Sequence, residues 1–280
     1  MTYPEVLAAA RDCIGPYCKA CPVCNGRACG NTVPGPGCKY PGPTASRNYD
    51  KWQEIFVNMD TLCKNVDPEI MKSSVQDMAK VGGMGIPTIK PWNKEFVFEK
   101  LDIVEQADVF AVAMDVDGAG LPFLKAMNPN AGSKSVDEMR EIIDYAGRPF
   151  IIKGIMTVAG ARKAVEAGAH AIVVSNHGGR VQGGVPSTAE VLPAIADAVK
   201  DRITILVDGG IRSGVDVFRA LALGADGVLI GRPILTAIYG AGEEGFKVYM
   251  DKIVGELKST MTMCGAATLK DIDRSKIWQG

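Results

Sequence analysis

The second half of the chain alternates short, continuously apolar segments with helical segments. The apolar segments include FIIKGI at 150–155, AIVVS at 171–175 and ITILVD at 203–208, and a helical pattern follows each of them. Such largely apolar segments are typical of strands buried on both faces of a sheet, and intervening helices make the strands parallel. Six such units follow one another between Gly85 and Met263. The pattern therefore predicts a parallel α/β fold.

The length of 280 residues fits one α/β barrel, although a closed barrel contains eight strands and only six units are recognisable. The first 46 residues differ from the rest because they combine cysteines with the Pro- and Gly-rich stretch TVPGPGCKYPGPT. Such a stretch does not form a regular element. We therefore expect two parts, a Cys-rich N-terminal segment at 1–46 and an α/β barrel at 47–280.

Six of the eight cysteines fall within the first 38 residues, which is unlike a disulfide framework in a reducing compartment. Their spacing resembles that of ferredoxin-type iron–sulfur sites, in which thiolates two residues apart converge on one cluster. Cys38 is an alternative to the last of the predicted ligands. A zinc site and free thiols remain open as alternatives. The predicted ligands are Cys18, Cys21, Cys24 and Cys29.

The formal net charge of −1 gives no electrostatic reason to expect nucleic acid or an anionic membrane as a partner. The N-terminus lacks the apolar core of a signal peptide, and no stretch reaches the roughly 20 apolar residues that span a bilayer. We therefore expect a cytoplasmic protein with a small-molecule ligand.

The segment AIVVSNHGGR at 171–180 joins a predicted buried strand to a polar turn that carries His177 and Arg180. In parallel α/β proteins, ligands bind where the strands end at their carboxyl edge. His177 is one of only two histidines in the chain. A base and a cation are therefore predicted to meet a substrate at this turn.

Two further strand ends carry glycine and arginine. VDGGIRSG at 207–214 and IGRP at 230–233 each lead directly into a predicted helix. In α/β barrels, the loops after the last two strands commonly bind phosphate through backbone N–H groups and positive helix ends. Arg212 and Arg232 add charge and forked hydrogen bonds. These turns predict a phosphate-containing cofactor, and Lys153 in the strand FIIKGI would then need an anionic partner.

These motifs resemble one family closely. The segments KGIMT, SNHGGR, DGGIRSGVDVFRALALGADGVLIGRP and ELKSTMTMCGAATL, spread between Phe150 and Leu269, look like the FMN-dependent α-hydroxy-acid oxidases and dehydrogenases. That family includes glycolate oxidase, lactate oxidase and flavocytochrome lactate dehydrogenase. The resemblance implies a TIM (β/α)8-type barrel that holds FMN at the strand carboxyl ends and forms a homo-oligomer.

The resemblance also implies roles for single residues and an activity, the oxidation of a small 2-hydroxy acid to the 2-oxo acid with an unspecified electron acceptor. His177 would be the active-site base, Arg180 would bind the substrate carboxylate, and Lys153 would stabilise the anionic reduced flavin. Ser175 would bond to the edge of the flavin ring. The residues implied to hold the ribityl chain and phosphate are Asp208, Gly209, Gly210, Ile211, Arg212, Gly231 and Arg232.

The N-terminal half departs from the family pattern. Nothing between Trp52 and Pro68 has the pattern of a strand, so the first two βα units are expected to be missing. Lys90 and Trp92 stand where a Gln and a substrate-binding Tyr are usual. Two other hypotheses stay open, namely another FMN- or phosphate-binding barrel enzyme such as type 2 isopentenyl diphosphate isomerase, and a truncated homologue without catalytic activity.

Overall fold

The computed structural model describes residues 1–18, 78, 80, 82–121, 124 and 131–278, with the backbone alone for 11–18. The chain divides into two compact units. The strand unit contains the described residues between 78 and 176 together with 194–206. The terminal unit contains 1–18, 177–193 and 207–278. The predicted loss of two βα units and the predicted boundary at 46/47 both lie outside the described residues.

Six parallel strands lie within the described part of the chain, in the order β1-β2-β3-β4-β5-β6. Their order in the sheet follows their order in the sequence, as expected for successive βα units. The strands are β1 (Thr88–Ile89), β2 (Val112–Asp115), β3 (Phe150–Ile155), β4 (Ala171–Val174), β5 (Thr204–Val207) and β6 (Gly227–Val228). The helices are α1 (Tyr3–Cys18), α2 (Lys94–Glu105), α3 (Val136–Ala146), α4 (Val158–Glu166), α5 (Thr188–Val199), α6 (Gly214–Ala222) and α7 (Arg232–Met263).

The core of the strand unit is the sheet itself. Every residue of β2 and β4 is buried, and all of them except Asp115 are apolar, as expected of strands covered on both faces. β1, β2, β3 and β4 pair in parallel, and Val112 stands opposite Phe150. The prediction of buried parallel strands is confirmed.

Polar capping residues precede three of the helices. The Ser135 side chain accepts a hydrogen bond from Glu138 N before α3, Thr157 does the same with Gly160 N before α4, and Ser213 caps α6. β1 is a short strand of two residues, Thr88 and Ile89. Pro87 and Pro91 flank β1 and have no N–H to donate to the ladder.

Two helices organise the terminal unit, and α7 is interrupted by a kink at Ala241 and Gly242, whose backbone angles are not helical. α1 packs against α7, where Val6 and Ala10 are buried and the Tyr3 and Tyr249 ring centroids are 5.7 Å apart. The contact is close because Gly240 has no side chain, and a Cβ there would lie 2.2 Å from the Val6 carbonyl oxygen. α1 thereby anchors the N-terminus of the chain to α7.

None of the helices in the described residues is long and apolar enough to cross a membrane.

Candidate functional site

In the strand unit, Lys153 and Ser175 meet at the carboxyl ends of β3 and β4. Lys153 Nζ donates a hydrogen bond of 2.7 Å to Ser175 Oγ, and Ser175 is fully buried. The register between the two strands shifts here, since Lys153 stands opposite Val173 and Ile155 opposite Val174. The extra residue, Gly154, therefore forms a β-bulge, a feature that redirects side chains next to functional sites.

Glycine is required at this bulge. Gly154 has a φ of 102°, and a Cβ would lie 2.7 Å from the Cβ of Asp117. A larger residue would strain the backbone and displace the turn after β2. The KG dipeptide of the sequence is thus explained by local geometry, because the glycine fixes the course of the strand at Lys153.

A buried ion pair, which was not predicted from the sequence, lies next to this lysine. Lys90 follows β1, Asp115 ends β2, and the Lys90 ammonium contacts Asp115 Oδ2. Both residues are buried, with 9% of Lys90 and 1% of Asp115 exposed. Asp115 is also the register partner of Lys153. The sequence contained one signal for this ion pair, since Asp115 is the only charged residue in the otherwise apolar strand β2.

In the terminal unit, His177 begins a tight turn with an uncommon backbone conformation. His177 has a φ of 56°, and Gly178 and Gly179 continue the turn with φ values of 65° and 80°. Among the described residues other than glycine, only His177 and Asp108 have a positive φ. A left-handed non-glycine residue costs about 1–2 kcal/mol, and such strain is concentrated at functional sites. His177 and Arg180 are half-buried, so both can reach a ligand.

The glycine turn after β5 is held by a threonine. Thr188 Oγ1 donates to the carbonyl oxygens of Asp208 at 2.8 Å and Gly209 at 3.4 Å. Gly209 and Gly210 have φ values of 82° and 123°, and Asp208 is 1% exposed. Successive glycines in such conformations let backbone N–H groups converge on an anion. The turn therefore has the geometry expected of a phosphate loop.

The backbone N–H groups at the N-terminus of α6 already donate hydrogen bonds to side chains of the protein. Arg212 N and Ser213 N both donate to Asp216 Oδ2, at 3.1 and 3.0 Å, and Gly214 N donates to Glu256 Oε2 at 2.8 Å. Burial raises the pKa of Asp216, although hydrogen bonds from Ser213 and Arg212 oppose that shift. The first turn of α6 is thus capped by two carboxylates.

The N-terminus of α7 differs from that of α6 because its N-cap residue has no side chain and a buried arginine follows it. Its N-cap is Gly231, which makes no side-chain cap hydrogen bond, and the next residue, Arg232, is 1% exposed. A buried cation at the positive N-terminus of a helix favours an anionic ligand. The sequence predicted that both arginine turns contribute to one phosphate site, and the structure shows that their helix N-termini differ. The residues of the α7 turn therefore fit a phosphate group better than the capped end of α6 does.

Tyr249 supports the loop between β5 and α6. Its ring is fully buried, and its hydroxyl donates to the Arg212 carbonyl oxygen at 3.4 Å. Burial raises the pKa of Tyr249, so the phenol keeps the proton that it donates. No sequence pattern indicates this contact, because 37 residues separate the two partners.

The predicted metal ligands Cys18, Cys21, Cys24 and Cys29 lie outside the residues whose side chains the structure describes.

Comparison with known proteins decides the family. Residues 52–279 match the FMN-dependent dehydrogenase family, which is most of the chain. The chain belongs to this family. The resemblance found from the motifs is therefore confirmed, and FMN is the cofactor that the family and its solved structures support.

Curated relatives match about half of the chain. An L-lactate dehydrogenase of Serratia proteamaculans (strain 568) is 50% identical over 153 residues, which are 55% of this chain and 40% of that protein. The peroxisomal (S)-2-hydroxyacid oxidase GLO3 of Arabidopsis thaliana is 43% identical over 153 residues, covering 55% of this chain and 41% of that protein. The matched segment spans less than half the length of either relative.

Solved structures of mandelate oxidase share the fold. A complex with 3,3-difluoro-2-hydroxy-3-phenylpropionic acid superposes with a TM-score of 0.73 and 25% identity, covering 98% of this chain and 97% of that chain. A variant of that enzyme with one tyrosine replaced by phenylalanine, bound to a trifluorinated dihydroxypropanoic acid, gives a TM-score of 0.64 and 33% identity over 71% of this chain and 64% of that chain. The predicted TIM-barrel-type α/β fold is confirmed.

Proposed function

We propose that this chain is an FMN-dependent oxidoreductase that converts a small 2-hydroxy acid to the 2-oxo acid. The observation that carries the proposal is the strained turn of His177, which follows a buried strand and has Arg180 three residues later. Family membership supports the cofactor, and the relatives named for L-lactate and (S)-2-hydroxy acids support the substrate class.

In this proposal, two groups of residues would hold FMN. Lys153 and Ser175 would lie against the ring, where the lysine charge favours the anionic reduced form. The buried Arg232 and the glycine turns would bind the phosphate and the ribityl chain. When bound, FMN would accept the two electrons that leave the substrate. The residues proposed for the phosphate and ribityl chain are Asp208, Gly209, Gly210, Ile211, Arg212, Gly231 and Arg232.

The substrate would be held and deprotonated by the turn after β4. Arg180 would bind the carboxylate through charge-assisted hydrogen bonds, which orient the 2-hydroxyl group. The His177 imidazole would accept a proton, because an imidazole titrates near neutral pH. Oxidation of R–CHOH–COO⁻ to R–CO–COO⁻ releases two protons and two electrons. His177 would take one proton, and the other would pass to the bound FMN together with the two electrons.

The test is an absorption spectrum of the protein purified without oxygen. We expect flavin bands that bleach when lactate, glycolate or mandelate is added, because the substrate reduces the flavin. Propionate, which lacks the hydroxyl group, is the matched control and should leave the bands unchanged. A colourless protein that takes up no FMN would contradict the proposal and would favour a homologue without catalytic activity.

We further propose that the Cys-rich segment binds an iron–sulfur cluster, a proposal that only the spacing of Cys18, Cys21, Cys24 and Cys29 supports. The same anaerobic protein is expected to show a broad visible shoulder that is lost on exposure to oxygen. Stoichiometric zinc without iron in elemental analysis would show instead that the cysteines form a zinc site. The homo-oligomeric state and the cytoplasmic location stay predictions.

A further inference from the structure

We propose that Tyr249 is a positioning residue for binding of the FMN phosphate, and that α1 takes part in this role because its Tyr3 packs against Tyr249. The two tyrosines would hold the Arg212 turn, residues 208–213 between β5 and α6, from the side of α7. This inference rests on the proposed FMN-binding function and concerns only the phosphate end of the cofactor. It adds two residues that act on the phosphate through Arg212 and not by contact with the flavin.

The backbone of Arg212 is held by side chains at both of its polar groups. Its N–H donates to Asp216 Oδ2 at 3.1 Å, and its carbonyl oxygen accepts a hydrogen bond of 3.4 Å from the Tyr249 hydroxyl. Tyr249 is 0% exposed, and a buried phenol hydroxyl usually has a hydrogen-bond partner. Its partner here is the backbone of the residue whose guanidinium is proposed to bind phosphate. Because the side chain of Arg212 starts from this backbone, Tyr249 restricts where the guanidinium can lie.

The start of α6 contacts α7 at a second point, about two helical turns beyond Tyr249. Gly214 N donates to Glu256 Oε2 at 2.8 Å, and a Cβ on Gly214 would lie 2.1 Å from Leu257 N. The backbones of the two helices are therefore in direct contact. The contacts at Tyr249 and Glu256 together fix the Arg212 turn against the part of α7 that follows its kink.

α1 contacts the same part of α7. The Tyr3 and Tyr249 rings are inclined by 36°, and Lys252 Nζ lies 5.4 Å from the Tyr3 ring centroid. Lys252 also forms an ion pair of 2.6 Å with Glu256, the residue that accepts the hydrogen bond from Gly214 N. Tyr3, Lys252 and Glu256 thus connect α1 to the start of α6 through α7.

The charge of Arg212 acts on both phenols. Burial raises the pKa of Tyr3 and of Tyr249, and the positive charge of Arg212 opposes the rise in both. Burial has the larger effect, so Tyr249 keeps the hydrogen that it donates. Arg212 is therefore an electrostatic neighbour of the two rings as well as a backbone partner of one of them.

The affinities for two flavins distinguish a positioning role from a purely structural one. Tyr249→Phe keeps the ring in the core and removes only the hydroxyl group. A hydrogen bond of ordinary net strength corresponds to a change of about two- to tenfold in a dissociation constant. We therefore expect FMN to bind more weakly by this factor, whereas riboflavin, which has no phosphate, should bind with unchanged affinity. A purely structural tyrosine would affect both flavins or neither.

Tyr3→Ala tests the contribution of α1. It removes the ring that packs against Tyr249, so the affinity for FMN should fall and the affinity for riboflavin should stay the same. Tyr239 supplies matched controls for both substitutions, because it lies on α7 before the kink and is 40% exposed. Tyr239→Phe and Tyr239→Ala should bind both flavins as the unchanged protein does.

Quenching of flavin fluorescence gives the dissociation constants for FMN and riboflavin, and urea unfolding of the flavin-free proteins shows which variants fold. An FMN affinity in Tyr249→Phe equal to that in Tyr239→Phe would overturn the inference. An equal loss of affinity for FMN and riboflavin would also overturn it, because the effect would not concern the phosphate. If Tyr249→Phe does not fold, Tyr3→Ala decides by the same comparison with Tyr239→Ala.

Failure of the proposed function has a different signature, which the unchanged protein shows by itself. It would then bind neither flavin at saturating concentration, or bind FMN no more tightly than riboflavin. Either result would contradict the proposed phosphate site, and the inference with it. Tighter binding of FMN than of riboflavin, combined with variants that equal their controls, would leave the proposed function standing and reject the role of the tyrosines alone.

Discussion

Replacing His177 with asparagine is expected to leave FMN bound and to slow flavin reduction by a 2-hydroxy acid about 10²- to 10⁴-fold, the usual contribution of a general base. Asparagine cannot accept a proton near neutral pH. It does tolerate the left-handed backbone that His177 adopts at a φ of 56°, so the turn should keep its course. Stopped-flow absorbance of anaerobic enzyme mixed with substrate gives the rate.

The second histidine supplies the control for this experiment. His170 is exposed and immediately precedes β4, where its backbone N–H donates to the Phe150 carbonyl oxygen. The rate of flavin reduction by the substrate should therefore be the same in the His170→Asn variant as in the unchanged protein. An unchanged rate in the His177 variant would show that another group removes the proton.

Replacing Arg232 with glutamine is expected to weaken FMN binding by about 10- to 100-fold. A charge-assisted hydrogen bond contributes about 1.5–3 kcal/mol, and each 1.4 kcal/mol is a factor of ten in affinity. Arg232 is 1% exposed at the uncapped start of α7, so glutamine would leave the phosphate without a fixed cation there. Quenching of FMN fluorescence measures the dissociation constant.

Lys247→Gln is the control, because Lys247 lies beyond the kink of α7 and pairs with Asp251 where both side chains are exposed. It removes one positive charge and should leave FMN affinity unchanged. The free energy of unfolding of the FMN-free proteins separates loss of binding from loss of folding. Equal FMN affinity in the Arg232 variant and the unchanged protein would mean that the buried guanidinium serves the fold and not the phosphate.

The fold was largely predictable because its signals are local. Continuous apolar segments such as 171–174 indicate buried strands, and Ser135, Thr157 and Ser213 cap the helices that follow. Each of these features depends on residues within one turn or one strand. Strand lengths were less predictable, since the extent of β1 depends on which backbone groups its neighbours can pair.

The candidate site was only partly predictable, since hydrogen-bond partners come from distant segments. Lys153 was identified, but its bond to Ser175 depends on a bulge at Gly154. Both arginine turns had the same pattern, although Asp216 and Glu256 cap α6, whereas the N-cap residue of α7 is Gly231, which has no side chain.

The sequence by itself determined the parallel α/β class, the family and the positions of His177 and Arg180 at a strand end, because periodicity and short motifs encode them. Only the tertiary structure decided that Lys90 pairs with Asp115, that His177 has a strained backbone and that α7 begins without a side-chain cap. The physical reason is that burial and pairing of charges depend on which strands become neighbours, and 25 residues of chain separate Lys90 from Asp115.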